Sequence, residues 1–261
     1  MARITLDIKK SIEQNAAVYF EKAKKAKKKL DGAKQALKKI QNRLELLKEK
    51  RDKESLTEKR TEKILRKKEW YEKFRWFFSS EGFLCIGGRD ATTNDIIIKK
   101  YADKNDIVFH TDMAGSPFFV IKAGKKKIGQ NTMEEAAQAT ASYSRAWRLG
   151  LSSIEVFYVR PDQLTKEASS GEYITKGAFM VKGKTNYIHP MLETAVGIKD
   201  NRIIGGPVNA VKNNSEKFVI IQQGKEKTSE IAKKIKKIIG GSIDEITLFI
   251  PAGGSRIQKT K

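Results

Sequence analysis

The chain has 261 residues, with 53 Lys+Arg against 31 Asp+Glu, a formal net charge of +22 and 39% hydrophobic residues. No run approaches the roughly 18 apolar residues of a membrane span, and the N-terminus lacks the apolar stretch of a signal peptide. The lone cysteine, Cys85, excludes an internal disulfide framework, and two histidines with one cysteine make no zinc site, so the expectation is a strongly basic cytoplasmic protein with no metal and no cofactor.

Up to Trp76 there are 25 basic and 12 acidic residues, so most of the excess charge sits in the first third. A basic surface of this size attracts polyanions, nucleic acid foremost; the alternative is an ordinary solvated lysine face. The same stretch carries Ile12, Ala16, Tyr19, Ala23, Ala26, Leu30, Ala33, Leu37, Ile40, Leu44 and Leu47 at alternating steps of four and three. That is an a/d seam, which predicts a helix roughly 54 Å long wrapped on another helix. The register fails around Arg51 to Thr57, which predicts a turn. Beyond it, Ile64, Tyr71 and Phe78 recur every seven residues. Together these predict a long antiparallel helical coiled-coil hairpin over 1–78, with an intermolecular coil as the alternative. The aromatics from Trp70 to Phe78 read as a plug docking the helix on a core.

From Ser79 the pattern turns to short strands and helices. Strands are predicted at 83–86, 107–110, 118–122, 154–159, 178–181 and 218–222. A short helix is predicted from Asp95 to Tyr101, capped at Thr92 or Thr93. Thr132-Met-Glu-Glu135 reads as a capping box opening a helix to Arg148, stopped by Gly150. Thr228 to Ile239 reads as a last amphipathic helix, ended by two glycines. The fold class expected for 79–261 is therefore a mixed α/β (α+β) globular domain.

The residues do not announce an enzyme. Neither a Walker-type loop nor a dinucleotide fingerprint is present, and the glycines of Gly87-Gly88-Arg89-Asp90 read as turn residues. His110 before Asp112 is a weak acid/base signal, and a structural or RNA-contacting histidine is the better reading. Cations near glycine turns and aromatics are more suggestive. Arg145 and Arg148 flank Trp147; Lys176, Lys182 and Lys184 surround Gly177 and Gly183; and Ala114-Gly115-Ser116-Pro117 offers backbone amides. That pattern suits a structured RNA backbone as well as it suits a hairpin with plain surface lysines.

In order along the chain, Gly88-Arg-Asp90 with Asn94, Asp106-Ile-Val-Phe-His110, Gly115-Ser116 and Val120-Ile-Lys122 resemble the NFACT RNA-binding domain. So do Glu134-Glu-Ala-Ala137, Tyr143-Ser-Arg-Ala-Trp147, Pro161-Asp-Gln-Leu-Thr-Lys166, Ser170-Gly-Glu-Tyr173, Gly177-Ala-Phe-Met180, Gly183-Lys184 and Asn186-Tyr187. One departure is Ala114 where many relatives carry His before the glycine. The resemblance implies a non-enzymatic part in ribosome-associated quality control: binding large ribosomal subunits obstructed by peptidyl-tRNA and supporting tRNA recruitment or nascent-chain tailing. Its implied partners are large-subunit rRNA and tRNA. Full-length members also carry an N-terminal tRNA-recognising domain, so a separate polypeptide supplying it in trans is expected. Arg89, His110, Ser116, Lys122, Arg145, Lys176, Lys182 and Lys184 are the expected RNA contacts. A general DNA-binding protein and a coiled-coil scaffold are the alternatives.

Overall fold

A computed structural model describes residues 5–58, 68–167 and 174–258. The chain divides into two units, 1–67 and 68–261. Ile64 and the motif Ser170–Tyr173 lie outside the described residues.

In the first unit α1 (Ile12–Glu58) is a single helix of 47 residues. The predicted turn at Arg51 to Thr57 does not form: the helix runs through it. The segment contains neither Pro nor Gly and is rich in Lys, Glu and Arg, so losing the apolar repeat does not break the backbone. At the other end Asn15 anchors the chain entering the helix, accepting from Asp7 N at 2.9 Å and donating to Asp7 O and Lys10 O. None of the described helices is long and apolar enough to cross a membrane.

The second predicted helical run is overturned where it is described. Tyr71 sits in a 3-10 turn (Trp70–Lys73), and Phe78 ends strand β1 (Arg75–Phe78). Their spacing of seven is coincidental; three consecutive aromatics after Arg75 favour a strand between other strands over a helix. Tyr71, Phe74, Trp76 and Phe77 are all buried in the core of the second unit, so the aromatic run is core and not a stacking platform.

β1 pairs with β2 (Leu84–Gly87). Then come α2 (Ala91–Ile96), which continues as one π turn to Tyr101, β3 (Ile107–His110) and β4 (Phe119–Ile121). The cap of α2 is Asp90 rather than Thr92 or Thr93: its carboxylate accepts from Thr93 N at 2.8 Å. The predicted long helix after Gly129 is two helices, α3 (Gln130–Ser142) and α4 (Arg145–Leu149). Ser144 starts the second by accepting from Ala146 N, and Gly150 ends it as expected. The expected capping box does not form. Glu81, on the β1–β2 connection, caps α3 instead, accepting from Thr132 N at 3.0 Å.

β5 (Val156–Val159), β6 (Leu164–Thr165), β7 (Met180–Val181) and β8 (Asn186–Ile188) follow. The first sheet has six antiparallel strands in the order β1-β2-β4-β3-β5-β8, with β6 and β7 pairing apart as a two-stranded ribbon. Val108, Phe109, Phe119, Val120 and Ile121 of its central strands are fully buried, the continuous apolar pattern of strands covered on both faces.

The chain then builds β9 (Thr194–Lys199), β10 (Arg202–Gly206), α5 (Val208–Asn214), β11 (Lys217–Glu226), α6 (Thr228–Ile239), α7 (Ile243–Thr247) and β12 (Ser255–Ile257). Its strands form a second antiparallel sheet, β10-β9-β11-β12. α6 buries Ile231, Ala232, Ile235 and Ile239 and turns Lys233, Lys234, Lys236 and Lys237 to solvent, the stripe its sequence spacing predicts. Trp147 Nε1 donates to Gly254 O and Tyr143 Oη donates to Phe249 O, so α4 and the α3–α4 break are fastened to the second sheet's half of the domain. The mixed helix and antiparallel-sheet architecture agrees with the expected fold class.

Candidate RNA-binding cleft

The ends of β1 and β3, the turn after β2, the start of α2 and two loops enclose a cleft of about 310 Å3. Arg75 and Arg89 line one side, His110 and the Gly115-Ser116 backbone another, and Lys176 closes it. The walls are held by short-range packing. A Cβ on Gly88 would fall 1.8 Å from Asn94 Oδ1, so only glycine lets the turn meet α2 there. That Asn94 oxygen accepts from Phe118 N at 3.1 Å, while its amide faces Ser116 O at 3.4 Å; it pins the loop before β4. Gly177 has φ of +81°, and a Cβ on it would lie 2.6 Å from Ala91 Cα. Its N–H donates to Asp95 Oδ1 at 3.0 Å, fixing the segment that carries Lys176 against α2.

Two arginines set the electrostatics. Arg75 lies 4.3 Å over the Tyr143 ring. Arg89 donates from Nη2 to Phe74 O at 2.9 Å. Burial and the neighbouring Arg89 charge lower the Arg75 pKa, and burial lowers that of Arg89, yet arginines stay charged at any physiological pH. None of the ion pairs among the described residues involves Arg75 or Arg89. Asp90, also on the rim, has its carboxylate turned to the α2 cap. Two guanidiniums lining one cleft, with no carboxylate partner among the described residues, offer the chemistry an anion needs.

His110 joins this cleft to a second groove of about 340 Å3 lined by Phe118, Phe157, Phe179 and Tyr187. Its ring stacks on Phe118, centroids 3.9 Å apart. Ser116 O can only accept, so the 3.2 Å contact assigns the proton to Nε2. Burial lowers the His110 pKa to about 4, so the ring is neutral at pH 7. Its surroundings suit a flat apolar surface rather than a proton carrier. Ser116 is buried, its hydroxyl 2.5 Å from that of Thr111; it supports the loop and presents only its backbone to the cleft.

Of the expected contacts, the structure therefore gathers Arg89, His110, Ser116 and Lys176 around one cleft. Lys122 is elsewhere and occupied: its ammonium lies between Asp106 and Asp103, the latter at 2.7 Å, and donates to Tyr101 O. Arg145 is exposed on the first residue of α4, outside the cleft lining. Lys182 pairs with Glu167 at 2.7 Å and Lys184 is exposed; their carbonyls, not their ammonium groups, are organised, both accepting from Gln163 Nε2. Arg75 and Tyr143 belong to the cleft and were missed. The signal for Arg75 was a cation opening a run of three aromatics; assigning that run to a helix concealed it.

A family model, the NFACT protein RNA binding domain, matches residues 73–183, a span that includes every residue named for the cleft. The chain belongs to the NFACT family. Among its NFACT relatives is the archaeal Rqc2 homolog aRqcH of Methanocaldococcus jannaschii, 40% identical over 205 residues, or 76% of this chain and 30% of that protein. The human ribosome quality control complex subunit NEMF is 42% identical over 126 residues, 48% of this chain and 12% of NEMF. Subunit 2 of the same complex in Schizosaccharomyces pombe is 37% identical over 134 residues, 50% of this chain and 13% of that protein. The chain thus spans less than a third of the length of these NFACT relatives.

Proposed function

We propose that this chain is an RNA-binding component of ribosome-associated quality control. In this reading it binds and positions RNA in the cytoplasm and catalyses nothing itself. One backbone phosphate sits between Arg75 and Arg89, and an unpaired base beside it enters the aromatic groove next to His110. The observation that carries the reading is the pair of arginines without a carboxylate partner among the described residues. The ribosomal setting rests on the names of the relatives, and with it come the proposed partners: large-subunit rRNA and tRNA on subunits obstructed by peptidyl-tRNA.

The test is fluorescence anisotropy with tRNA, a single-stranded oligoribonucleotide and duplex DNA of equal length, at several salt concentrations. The expected order places RNA with unpaired bases ahead of duplex DNA, because only such RNA fills the groove. Arg75→Gln with Arg89→Gln weakens RNA binding and lowers its salt dependence. Equal affinity for duplex DNA, unaltered by the pair of substitutions, would make this a general polyanion binder. Co-sedimentation with large subunits carrying peptidyl-tRNA, against empty subunits, tests the setting.

A further inference from the structure

On the RNA-binding reading of the same site, we propose that the aromatic groove beside His110 takes guanine in preference to the other three bases, and that Asp112 is the residue that selects it. Phe118, Phe157, Phe179 and Tyr187 line the groove, and Asp112 is the one carboxylate among its lining residues. A carboxylate beside a nucleic acid repels phosphate, so it is favourable there only where it meets N–H donors. Asp112 is exposed, yet its charge reaches the His110 ring and partly opposes the loss of basicity that burial imposes there. Among the described residues its carboxylate has no hydrogen bond and no ion pair. The other polar side chains of the groove are engaged. The Thr111 hydroxyl bonds that of Ser116 and accepts from Met113 N. Thr185 donates to Tyr187 Oη at 2.8 Å, and His110 Nε2 donates to Ser116 O.

The polar edge of a base lying in the groove therefore meets an acceptor with two oxygens to offer. The four bases answer it differently. Guanine carries N1–H and the N2 amino group side by side, and one carboxylate matches that pair as it matches the fork of an arginine. Adenine and cytosine each offer one amino group next to a bare ring nitrogen, whose lone pair repels the second oxygen. Uracil offers one N–H between two carbonyls, which repel on both sides. Guanine alone gains two bonds with no repulsion. The aromatic walls take the flat face of any base, so they supply affinity without choice. The choice falls to Asp112.

Anisotropy is measured with five labelled nine-nucleotide strands: oligouridylate and its variants with guanosine, inosine, adenosine or cytidine at the centre. The guanosine strand is expected to bind roughly tenfold tighter than the uridine, adenosine and cytidine strands. Inosine keeps N1–H and lacks the amino group, so its strand falls between. Asp112→Asn levels the series, and an unchanged thermal unfolding certifies that variant. Arg75→Gln with Arg89→Gln weakens all five strands alike, because a phosphate contact carries no sequence. Equal binding of all five by the unaltered protein overturns the proposal, and that series does not depend on how any variant folds. If the arginine pair still weakens the strands, the RNA-binding reading stands without the base preference. A guanosine preference that survives Asp112→Asn, or an inosine strand that binds as tightly as guanosine, also overturns it. A preference lost with Asp112→Asn but untouched by the arginine pair keeps the base site and moves the phosphate elsewhere. Binding of no strand overturns both readings.

Discussion

Two groups of cations on the same six-stranded sheet have opposite surroundings. At the β4 end Lys122 is enclosed by Asp106, which is 0% exposed, and by Asp103. Asp106 is itself fixed by the Ala123 and Asp103 amides. At the β1–β2 end Arg75 and Arg89 have aromatic and carbonyl neighbours but no carboxylate. The first arrangement spends its charge inside the molecule and holds a corner together. The second leaves charge desolvated and uncompensated, which is tolerable only beside solvent or a bound anion. A net charge counts both alike; pairing decides which cations are available to a ligand.

Exchanging the roles tests this contrast most strongly. Lys122→Met strands a buried carboxylate and is expected to cost about 3 kcal/mol or more in urea unfolding, while the RNA affinity of the folded fraction stays unchanged. A loss of RNA affinity at full stability would reverse the assignment of Lys122. His110, half-buried near Asp112 but in no ion pair among the described residues, sharpens the same point through pH. Its folded pKa of about 4 lies below the usual 6.5, so the unfolded chain binds the proton more readily. Stability is fully present above pH 6.5 and declines as pH falls toward 4, by about 3 kcal/mol in all. His110→Phe should flatten that part of the unfolding profile, and RNA binding of the unaltered protein should hold steady from pH 8 to 6.5.

The arginine pair comes next. Arg75→Gln with Arg89→Gln should weaken RNA binding by roughly 2 to 3 kcal/mol, with the salt slope reduced by about 1, the signature of one lost phosphate. Thermal stability should fall by no more than the lost Arg89–Phe74 O bond and Arg75–Tyr143 contact supply, since neither side chain forms an ion pair among the described residues. The smallest effect belongs to Lys182→Glu with Lys184→Glu. Both lysines are exposed and one is already paired with Glu167, so a change under about 1 kcal/mol is expected by filter binding. An effect matching that of the arginine pair would extend the interface onto the β7 region.

The parts of the fold legible in the sequence are those whose determinants are local. β3 was found at its true limits because Ile-Val-Phe is β-prone and bounded by polar residues, and α6 because its isoleucines keep one helical face and a glycine ends it. β1 was not, because a period of seven over Tyr71 and Phe78 outweighed three adjacent aromatics whose strand partner was not visible. The α3–α4 break at Tyr143 was hidden for a related reason: no Pro or Gly marks it, and Tyr143 is drawn aside by Phe249, 106 residues away. The candidate site divides in the same way. Arg89, His110 and Lys176 stand out beside turns, whereas Lys122 looked equally free until the β3–β4 register placed it over Asp106. Nothing local to Lys122 records that neighbour.

The cap that Glu81 places on α3 has a consequence for how the domain forms. Thr132 N and the Thr132 hydroxyl both donate to a carboxylate 51 residues earlier in the chain, on the turn that joins β1 to β2. The start of α3 therefore has no side-chain cap of its own and is expected to fray until the hairpin docks. Hairpin and helix acquire their protection from hydrogen exchange together, as one cooperative unit. A fragment beginning after Glu81 would contain every residue of α3 and still lack what fixes its first turn.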